Sequence, residues 1–310
     1  GLPVPAGFTI STKVCELFYK NKKKLNFKII RSIKEELKKV ERESGKKFGD
    51  LKNPLLVSVR SGARISMPGM MDTILNLGLN DKTVLALGKR TSNIRFAKDS
   101  YRRFIQMYSN VVLGIESYNF EELIENYKLT KGVLLDTELD ANDWDGLIND
   151  FKKVIKEKTK KEFPQDVYQQ LVGAISAVFL SWESSRAKVY RKLNHIPSDW
   201  GTAVNVQSMV FGNMGDDCAT GVAFTRNPSD GENEIYGEYL INAQGEDVVA
   251  GTRTPRYITK KAKKFANSKE SSMEETMPKI FNELKKILKI LEKHYKDMQD
   301  VEFTVENKKL

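Results

Sequence analysis

Two arginines and two glycines lie close together in the segment VRSGARISMPGMMDT, residues 59–73. Glycines let backbone N–H groups come close to an oxyanion, and Gly62 and Gly69 provide two such positions. Arg60 and Arg64 supply planar guanidinium donors, which suit the geometry of phosphate oxygens. The segment therefore predicts a phosphate-binding loop, although its composition alone favours a glycine-rich surface turn.

This loop is predicted to lead into a helix that begins near Met71 and runs to Leu79. The N-terminus of such a helix would add partial positive charge beside the loop. The loop differs from the common motif G-x-x-x-x-G-K-[ST], because Gly62 and Gly69 are too far apart and Met70 follows the second glycine. The spacing therefore excludes a Walker A kinase.

A second candidate lies near the end of the chain, in the segment DVEFTVEN, residues 300–307. Side chains alternate along a strand, so Asp300 and Glu302 are expected to share one face. Two carboxylates about 7 Å apart on one face suit a Mg²⁺ ion that nucleotide phosphates also hold. The pattern alone favours the other interpretation, the solvated side of an edge strand.

Two further segments could line a ligand site, but their patterns are common. VNVQSMVFGNMG, residues 204–215, reads as a strand that runs into a turn, and its backbone could contact the edge of an adenine. INAQGEDVVAG, residues 241–251, places Gln244, Glu246 and Asp247 around a glycine. That arrangement suits the wall of a site and also suits an ordinary turn.

The sequence argues against several other kinds of site. His195 and His294 have no Ser, Cys or Asp partner at a recognisable spacing, and no zinc cluster or G-x-G-x-x-G motif is present. Cys15 and Cys218 form neither a disulfide framework nor a metal-binding pattern. Two isolated cysteines are typical of a reducing compartment, so a cytoplasmic location is expected.

The net charge of +10 raises the possibility of a polyanionic partner. Much of the excess is lysine that alternates with glutamate in helical segments such as KEELKKVERE, which favours solvated helix surfaces. A nucleic-acid-binding module would interleave aromatic residues with the basic ones, and no such stripe occurs. The best apolar run, residues 171–180, is about half of the roughly 20 residues that a membrane span needs. Neither nucleic acid nor membrane is therefore expected as a partner.

The hydrophobic periodicity indicates an α+β protein in which a helical block interrupts strand-containing segments. Residues 55–60 read as a strand, and residues 81–194 are almost entirely helical in pattern. Strands return after Trp200, a helix is predicted from near Pro278, and residues 300–307 end the chain as a strand.

Six segments of the chain together are similar to one family. The chain resembles the N-terminal nucleotide-binding domain of the pyruvate, phosphate dikinases. The segments that carry this resemblance are GLPVPAGFTIST, FGDLKNPLLVSVRSGARISMPGMMDTILNLGLND, RFAKDSYRRFIQMYSNVV, IPSDWGTAVNVQSMVFGNMG, TGVAFTRNPSDGENEIYGEYLINAQGEDVVAGTRTP and HYKDMQDVEFTVEN.

The resemblance implies a fold of ATP-grasp type, with two lobes and ATP between them. The first lobe would comprise residues 1–80 and 195–211, and residues 81–194 would be a large helical insertion. Residues 212–310 would form the second lobe.

The resemblance also implies the reaction. Enzymes of this family interconvert ATP, phosphate and pyruvate with AMP, pyrophosphate and phosphoenolpyruvate through a phosphohistidine on a separate swivelling domain. The present domain would bind ATP as substrate with Mg²⁺ as cofactor, together with phosphate, and pass phosphoryl groups to that histidine. Its expected partners are these ligands and the swivelling domain of the same full-length chain.

Site residues carry over from the family position by position. Arg60 matches the phosphate-binding arginine, with a catalytic role, and Arg103 matches a further basic residue near the phosphates. Asp300 and Glu302 match carboxylates that bind the metal. The other positions implied to contact the nucleotide are Gln207, Met209, Val210, Thr220, Gly221 and Glu246.

Two family segments with site residues are expected beyond this sequence. A Gly-Gly-Lys segment would precede Gly1, and a Leu-Gln-Thr-Arg segment would follow Leu310. A piece truncated at both ends is expected to be inactive alone and monomeric, whereas the full enzyme would be a homodimer. The alternatives are a domain of a phosphoenolpyruvate synthase-like dikinase and a docking scaffold without nucleotide affinity.

Overall fold

The computed structural model describes residues 1–249, 251 and 253–310. Ala250 and Thr252, both within the segment INAQGEDVVAGTRTP, lie outside the described residues. The chain forms two compact units. We call Pro5–Met209 the larger unit, and Gly1–Val4 together with Val210–Leu310 the smaller unit.

The larger unit contains a four-stranded antiparallel sheet and a small parallel pair of strands. The sheet has the strand order β1-β6-β4-β5, and β2 pairs with β3. Because β6 pairs with both β1 and β4, the chain after the helical block completes a sheet begun before it. The strands are β1 (Gly7–Ile10), β2 (Lys47–Phe48), β3 (Pro54–Leu55), β4 (Val57–Gly62), β5 (Thr73–Leu77) and β6 (Ala203–Ser208).

The helix predicted from Met71 to Leu79 is wrong, because β5 occupies most of that range. β5 pairs with β4, and its Ile74 and Leu77 are fully buried. Asn76 has φ 57° and Gly78 has φ 111°, values that do not continue a right-handed helix. The next helix along the chain begins only at Thr83, so the helix predicted directly after this loop is absent.

Helices fill the interval between β5 and β6, which confirms the helical block predicted there. α7 packs against β4, β5 and β6, and α4 packs against β5. Short 3₁₀ turns occur at Asp136–Glu138 and Ser198–Trp200. The helices of the larger unit are α1 (Thr12–Lys20), α2 (Phe27–Ser44), α3 (Thr83–Thr91), α4 (Ile94–Val111), α5 (Tyr118–Lys131), α6 (Ala141–Thr159), α7 (Val167–Ser181) and α8 (Ser185–Leu193).

The smaller unit has its own antiparallel sheet, with the strand order β10-β7-β8-β9. Its core contains Leu284 and Leu288 from the longest helix, together with Phe303 and Tyr239 from the sheet. The helix predicted near Pro278 and the final strand are confirmed. The elements are β7 (Ala219–Phe224), β8 (Tyr236–Ile241), α9 (Gly245–Val249), β9 (Arg256–Tyr257), α10 (Lys260–Phe265), α11 (Met273–Thr276), α12 (Pro278–Tyr295) and β10 (Asp300–Val305).

Both units combine helices with antiparallel strands, which is consistent with the α+β prediction. Among the described residues, no helix is both long enough and apolar enough to cross a membrane.

Candidate functional site

Arg60 and Gln207 lie on the same face of the sheet in the larger unit. Arg60 is exposed on β4, where its register partners are Thr73 and Asn205. Gln207 is the register partner of Ser58, two residues before Arg60, and alternate residues of a strand share a face. The structure therefore brings together two residues that the sequence placed in separate motifs.

Asn205 belongs to the same face and was missed by the sequence reasoning. It lies directly opposite Arg60 in the register, and its Oδ1 accepts a hydrogen bond of 2.7 Å from the Thr9 hydroxyl. A Cβ built at Gly62 would come within 3.0 Å of the Asn205 amide nitrogen, so this glycine permits a close approach. The available signal was strand alternation, since Asn205 and Gln207 are separated by a single residue.

Gln207 and the segment that follows it are held to the larger unit by hydrogen bonds to backbone carbonyls. The Gln207 side-chain amide donates to the Pro5 carbonyl at 3.0 Å, and the Met209 N–H donates to the Leu56 carbonyl at 2.9 Å. Met209 is the last residue of the larger unit, and Val210, 40% exposed, is the first residue after it. The predicted nucleotide contacts at positions 207–210 therefore span the junction between the units in the sequence.

The loop after Arg60 is anchored by a buried cluster. Met67 is only 7% exposed and belongs to a hydrophobic cluster with Trp182 and Ile196. The Arg64 guanidinium lies over the ring of Trp200, 5.1 Å from its centroid. Packing, rather than a following helix, thus fixes the course of this loop.

Polar contacts hold the far end of the same loop. The Asp72 N–H donates to the Ser181 hydroxyl oxygen at 3.3 Å, and the Arg186 Nε donates to the Met70 carbonyl at 3.2 Å. Arg186 also forms an ion pair with the Asp72 carboxylate. Burial raises the pKa of Asp72, and the opposing effect of Arg186 is smaller. The loop is therefore held at both ends, with Gly69 at φ 71° between them.

Arg103 lies on the side of α4 that contacts the sheet. Its neighbours on that side, Ser100 and Met107, meet β5: the Asn76 side-chain amide donates to the Ser100 carbonyl at 3.3 Å, and the Leu75 N–H donates to the Met107 sulfur at 3.1 Å. The Arg103 side chain is 13% exposed and pairs with the Asp99 carboxylate at 3.3 Å. Arg103 is thus oriented by a buried acid beside the sheet.

Asp99 is the centre of a buried charge cluster. It accepts a 2.6 Å hydrogen bond from Arg102, and the two side chains are 8% and 6% exposed. Burial opposes ionisation of Asp99, but the positive charges of Arg103, Arg102 and Arg95 outweigh it and lower its pKa. The Arg102 guanidinium also stacks on Trp144, 4.4 Å from the ring centroid. This cluster stabilises α4 and fixes the position from which Arg103 extends.

Asp300 and Glu302 share one face of β10, and the shared face predicted from the alternation is observed. Both are exposed, whereas Phe303 and Val305 point into the core of the smaller unit. β10 is also an edge strand, as the alternative interpretation required. The two interpretations are therefore compatible, because an edge strand with an exposed acidic face can still bind a cation.

Thr220 belongs to the same face as these carboxylates, and Gly221 belongs to the opposite face. Thr220 is the register partner of Thr304, two residues after Glu302, and its hydroxyl donates to the Ala243 carbonyl at 2.8 Å. Gly221 is opposite Phe303, whose ring fills the space beside it. Only the backbone of Gly221 is thus available to a ligand.

Glu246 lies in the first turn of the short helix α9 and is half-buried. The turn before this helix is closed by Asp247, whose carboxylate accepts a 2.8 Å hydrogen bond from the Gln244 N–H. The turn that the sequence allowed at this point is therefore present, and it presents Glu246 at the end of a strand.

The donor set of β10 fits a magnesium ion that is shared with a phosphate ligand. Among the described residues, no group of three or more His, Cys, Asp or Glu side chains is close enough to hold a metal alone. Mg²⁺ is commonly bound through one or two carboxylates, with substrate phosphates and water completing its coordination. Asp300 and Glu302 match that pattern in residue type, number and exposure.

The chain is similar to one characterised family over nearly its whole length. The family model described as "Pyruvate phosphate dikinase, AMP/ATP-binding domain" matches residues 21–310. A pyruvate, phosphate dikinase of Rhizobium meliloti (strain 1021) is 54% identical over 310 residues, and one of Clostridium symbiosum is 55% identical over 311 residues. A chloroplastic relative from Flaveria pringlei is 52% identical over 310 residues.

These alignments cover 100% of the present chain but only 34%, 34% and 31% of the three relatives, respectively. The chain therefore spans about a third of the length of the curated relatives that it matches.

Proposed function

The chain belongs to the AMP/ATP-binding domain family of the pyruvate phosphate dikinases, and on that premise we propose that it binds ATP with Mg²⁺ and presents it for phosphoryl transfer. The observation that carries this proposal is the shared sheet face of Arg60, Asn205 and Gln207, next to a loop that is anchored at both ends. An exposed guanidinium beside a positioned loop is suited to neutralise phosphate charge.

Phosphoryl transfer requires mainly positioning and neutralisation of charge from the protein. Arg60 is assigned the catalytic role of stabilising charge on the transferring phosphate, and Arg103 is assigned as a further cation. No general base is needed for these roles, which fits the lack of a Ser, Cys or Asp partner placed by sequence beside His195 or His294.

The nucleotide itself is assigned to the remaining predicted residues. In the larger unit, Gln207 and Met209 would contact the adenine, and Val210 continues that segment. In the smaller unit, the nucleotide would be lined by Thr220, the backbone of Gly221 and the half-buried Glu246. These roles come from the family resemblance and are supported by the geometry of each strand.

Asp300 and Glu302 are assigned as ligands of Mg²⁺. When bound, the ion would neutralise phosphate charge that the two carboxylates alone would repel. The two carboxylates would coordinate the ion from the protein, and their exposure on an edge strand leaves them accessible to the ion and its phosphate ligand.

We infer that the chain is part of an enzyme that converts ATP, phosphate and pyruvate into AMP, pyrophosphate and phosphoenolpyruvate. Phosphoryl groups would pass to a phosphohistidine on a separate swivelling domain of the full-length chain. The relatives named pyruvate, phosphate dikinase favour this activity over that of a phosphoenolpyruvate synthase-like dikinase. A homodimer is proposed for the full enzyme, with a monomer for the present chain.

We further propose an ATP-grasp type fold. Residues 1–80 with 195–211 would form one lobe, residues 212–310 the other, and residues 81–194 the insertion. A cytoplasmic location is inferred from the two free cysteines, Cys15 and Cys218.

The test is a calorimetric titration of the chain with ATP and Mg²⁺, beside Arg60→Ala and Arg60→Lys. Removal of a charge-assisted contact is expected to weaken binding about ten- to a hundredfold. Lysine keeps the charge but loses the planar pair of donors, so an intermediate affinity is expected for Arg60→Lys.

The matched control is Arg31→Ala, which removes an exposed arginine paired with Glu35 on α2. Equal affinity of Arg60→Ala and Arg31→Ala would refute the role of Arg60. No binding by any of these proteins would favour the docking scaffold without nucleotide affinity.

A further inference from the structure

The short helix α10 concentrates positive charge in the smaller unit. Its six residues, KKAKKF, include four lysines. Lys261 forms an ion pair with Glu234, and Lys263 reaches both carboxylate oxygens of Glu275 at 3.1 Å. Two of the four positive charges are therefore neutralised within the unit.

The other two lysines, Lys260 and Lys264, form a like-charged pair. They are four residues apart on the helix and both are exposed, so their ammonium groups lie on the same side. Within the described part of the chain, neither forms an ion pair. Like charges at this spacing repel each other, and an anion bound between them would relieve that repulsion.

These two lysines border a wide-open depression of about 280 Å³ in the surface, called the cavity below. Its other lining residues are Lys263, Asn267, Ser268 and Glu275. The volume is close to the lower limit of about 300 Å³ for small-molecule sites, which suits an anion of the size of pyrophosphate or a phosphorylated headgroup.

Glu275 does not supply the missing negative charge. Its carboxylate accepts hydrogen bonds from the Ser272 N–H at 2.7 Å and the Ser272 hydroxyl at 2.8 Å, besides pairing with Lys263. The Ser272 backbone contact, with Lys263 and the Ser272 hydroxyl, lowers the pKa of Glu275 to about 2. The carboxylate is thus engaged by Ser272 and Lys263, and it pairs with neither Lys260 nor Lys264.

Neutral donors complete the lining. The Ser268 hydroxyl oxygen accepts from the Glu270 N–H at 3.3 Å, which leaves its hydrogen able to donate. The Asn267 side-chain amide also borders the cavity. Two ammonium groups, a hydroxyl and an amide form a donor set of the kind that binds phosphate oxygens.

We propose that this cavity binds a phosphate-class oxyanion with two or more negative charges, held by Lys260 and Lys264 with Ser268 and Asn267 as neutral donors. The site is independent of the proposed nucleotide function, because none of its residues belongs to the Arg60 face or to the acidic face of β10. A free anion and a lipid headgroup offer the same chemistry. Phe265, which is 95% exposed beside Lys264, would favour the headgroup by entering the lipid surface.

The first arm of the test is a titration with pyrophosphate by calorimetry. All proteins in this arm carry Arg60→Ala, so that the result does not depend on whether the proposed nucleotide site binds a ligand. Lys260→Ala with Lys264→Ala is expected to weaken binding about tenfold, since two ionic contacts are lost. Lys260→Arg with Lys264→Arg is expected to retain it.

The matched control is Lys285→Ala with Lys289→Ala, an exposed pair at the same spacing on α12. It changes the net charge equally and is expected to bind pyrophosphate as the parent does. The second arm measures sedimentation with phosphatidylcholine vesicles that contain phosphatidic acid, for the same variants and for Phe265→Ser.

The outcomes separate the two sources of the anion. Loss of pyrophosphate binding only in the Lys260 and Lys264 alanine variant supports a free anion. Loss of vesicle binding in that variant and in Phe265→Ser supports a headgroup. Equal behaviour of the Lys260/Lys264 and Lys285/Lys289 alanine variants with both probes would overturn the proposal.

Discussion

Gly221 and Phe303 are register partners on β7 and β10, and the Phe303 ring occupies the space where a side chain at position 221 would begin. A Cβ at Gly221 would lie 2.5 Å from the ring and 2.5 Å from the Glu238 carbonyl oxygen. Both distances are far inside van der Waals contact. The glycine therefore allows β7 to lie between its two neighbouring strands with an aromatic ring beneath it.

Gly221→Ala is accordingly expected to destabilise the protein by about 1–3 kcal/mol, because neither the strand backbone nor the packed ring can move freely. Urea unfolding measures this change. Gly215→Ala is the matched control, since its Cβ would meet only the Asp217 carboxylate, at 3.6 Å. If the two variants unfold at the same urea concentration, the steric account is refuted.

Met67→Ala should release the loop that follows Arg60. Truncation of this buried side chain leaves a cavity beside Trp182 and is expected to cost about 2 kcal/mol or more. ATP binding, as proposed, should weaken with it because the loop is less well positioned. Unfolding and ATP titration are measured together, with Met298→Ala at a 40% exposed position as the control. Unchanged ATP affinity in a destabilised Met67→Ala protein would show that the anchored loop does not contribute to binding.

Asp99→Asn should be strongly destabilising. The substitution keeps the size of the side chain but leaves the buried Arg102 without its closest carboxylate, which costs about 3–5 kcal/mol for buried pairs. Thermal and urea unfolding test this expectation against Asp216→Asn, an exposed site in a turn. A difference of less than a few tenths of a kcal/mol between the two would mean that water or other groups compensate Arg102.

The acid stability of the protein should depend partly on Asp140. Its pairing with Lys131 at 2.7 Å, together with its capping contacts to the N–H groups of Asp143 and Asn142, lowers its pKa to about 2 from the usual 3.8 of an aspartate. Because its pKa is lowered, the ionised Asp140 carboxylate stabilises the folded protein above pH 3.8, and this stabilisation is lost as the pH falls toward 2.

Asp140→Asn retains a capping side chain but removes the charge. The variant should therefore be less stable than the parent at neutral pH and should converge with it near pH 2. Glu157→Gln, on the same helix α6, is the control and should show no such convergence. If the difference in the free energy of unfolding between the parent and Asp140→Asn does not change with pH, the stabilisation by Asp140 is not electrostatic.

Asp300→Asn and Glu302→Gln test the proposed magnesium ligands. Each is expected to weaken ATP binding in the presence of Mg²⁺ about tenfold or more, and to have little effect without the ion, because the carboxylates act through the metal. Exposed carboxylates of an edge strand contribute little to folding, so stability should remain near that of the parent. Glu283→Gln on α12 serves as the control. Equal losses with and without Mg²⁺ would assign these residues a role other than metal binding.

Elements with local signals were predictable from the sequence. The helix α2 has an apolar face of Ile33, Leu37 and Val40, begins after an Asn26 side chain that caps the Ile29 N–H, and ends at Gly45 with φ 65°. β10 was predictable for the same reason, since its alternation separates an acidic face from an apolar one. In both cases the deciding interactions lie within a few residues along the chain.

β5 was not predictable in this way. Ile74 and Leu77 are three residues apart, which fits one face of a helix as well as it fits a strand that contains an irregular residue. The strand forms because β4 offers a free edge for hydrogen bonds and the buried core accepts both side chains. Such long-range strand pairing overrides the local conformational preference of the residues, so the local sequence pattern does not indicate it.

The sequence by itself determined the residue types of the candidate site: Arg60 with its glycine-rich loop, and the acidic strand face of Asp300 and Glu302. Only the tertiary structure decided which of them share a surface. Ser58 and Gln207, register partners separated by 149 residues, align the face that carries Arg60. Met67 likewise packs with Trp182 and Ile196, which are distant from it in the sequence. Contacts between residues so far apart in the sequence form only when the whole unit folds, because they depend on packing and strand register rather than on any one segment.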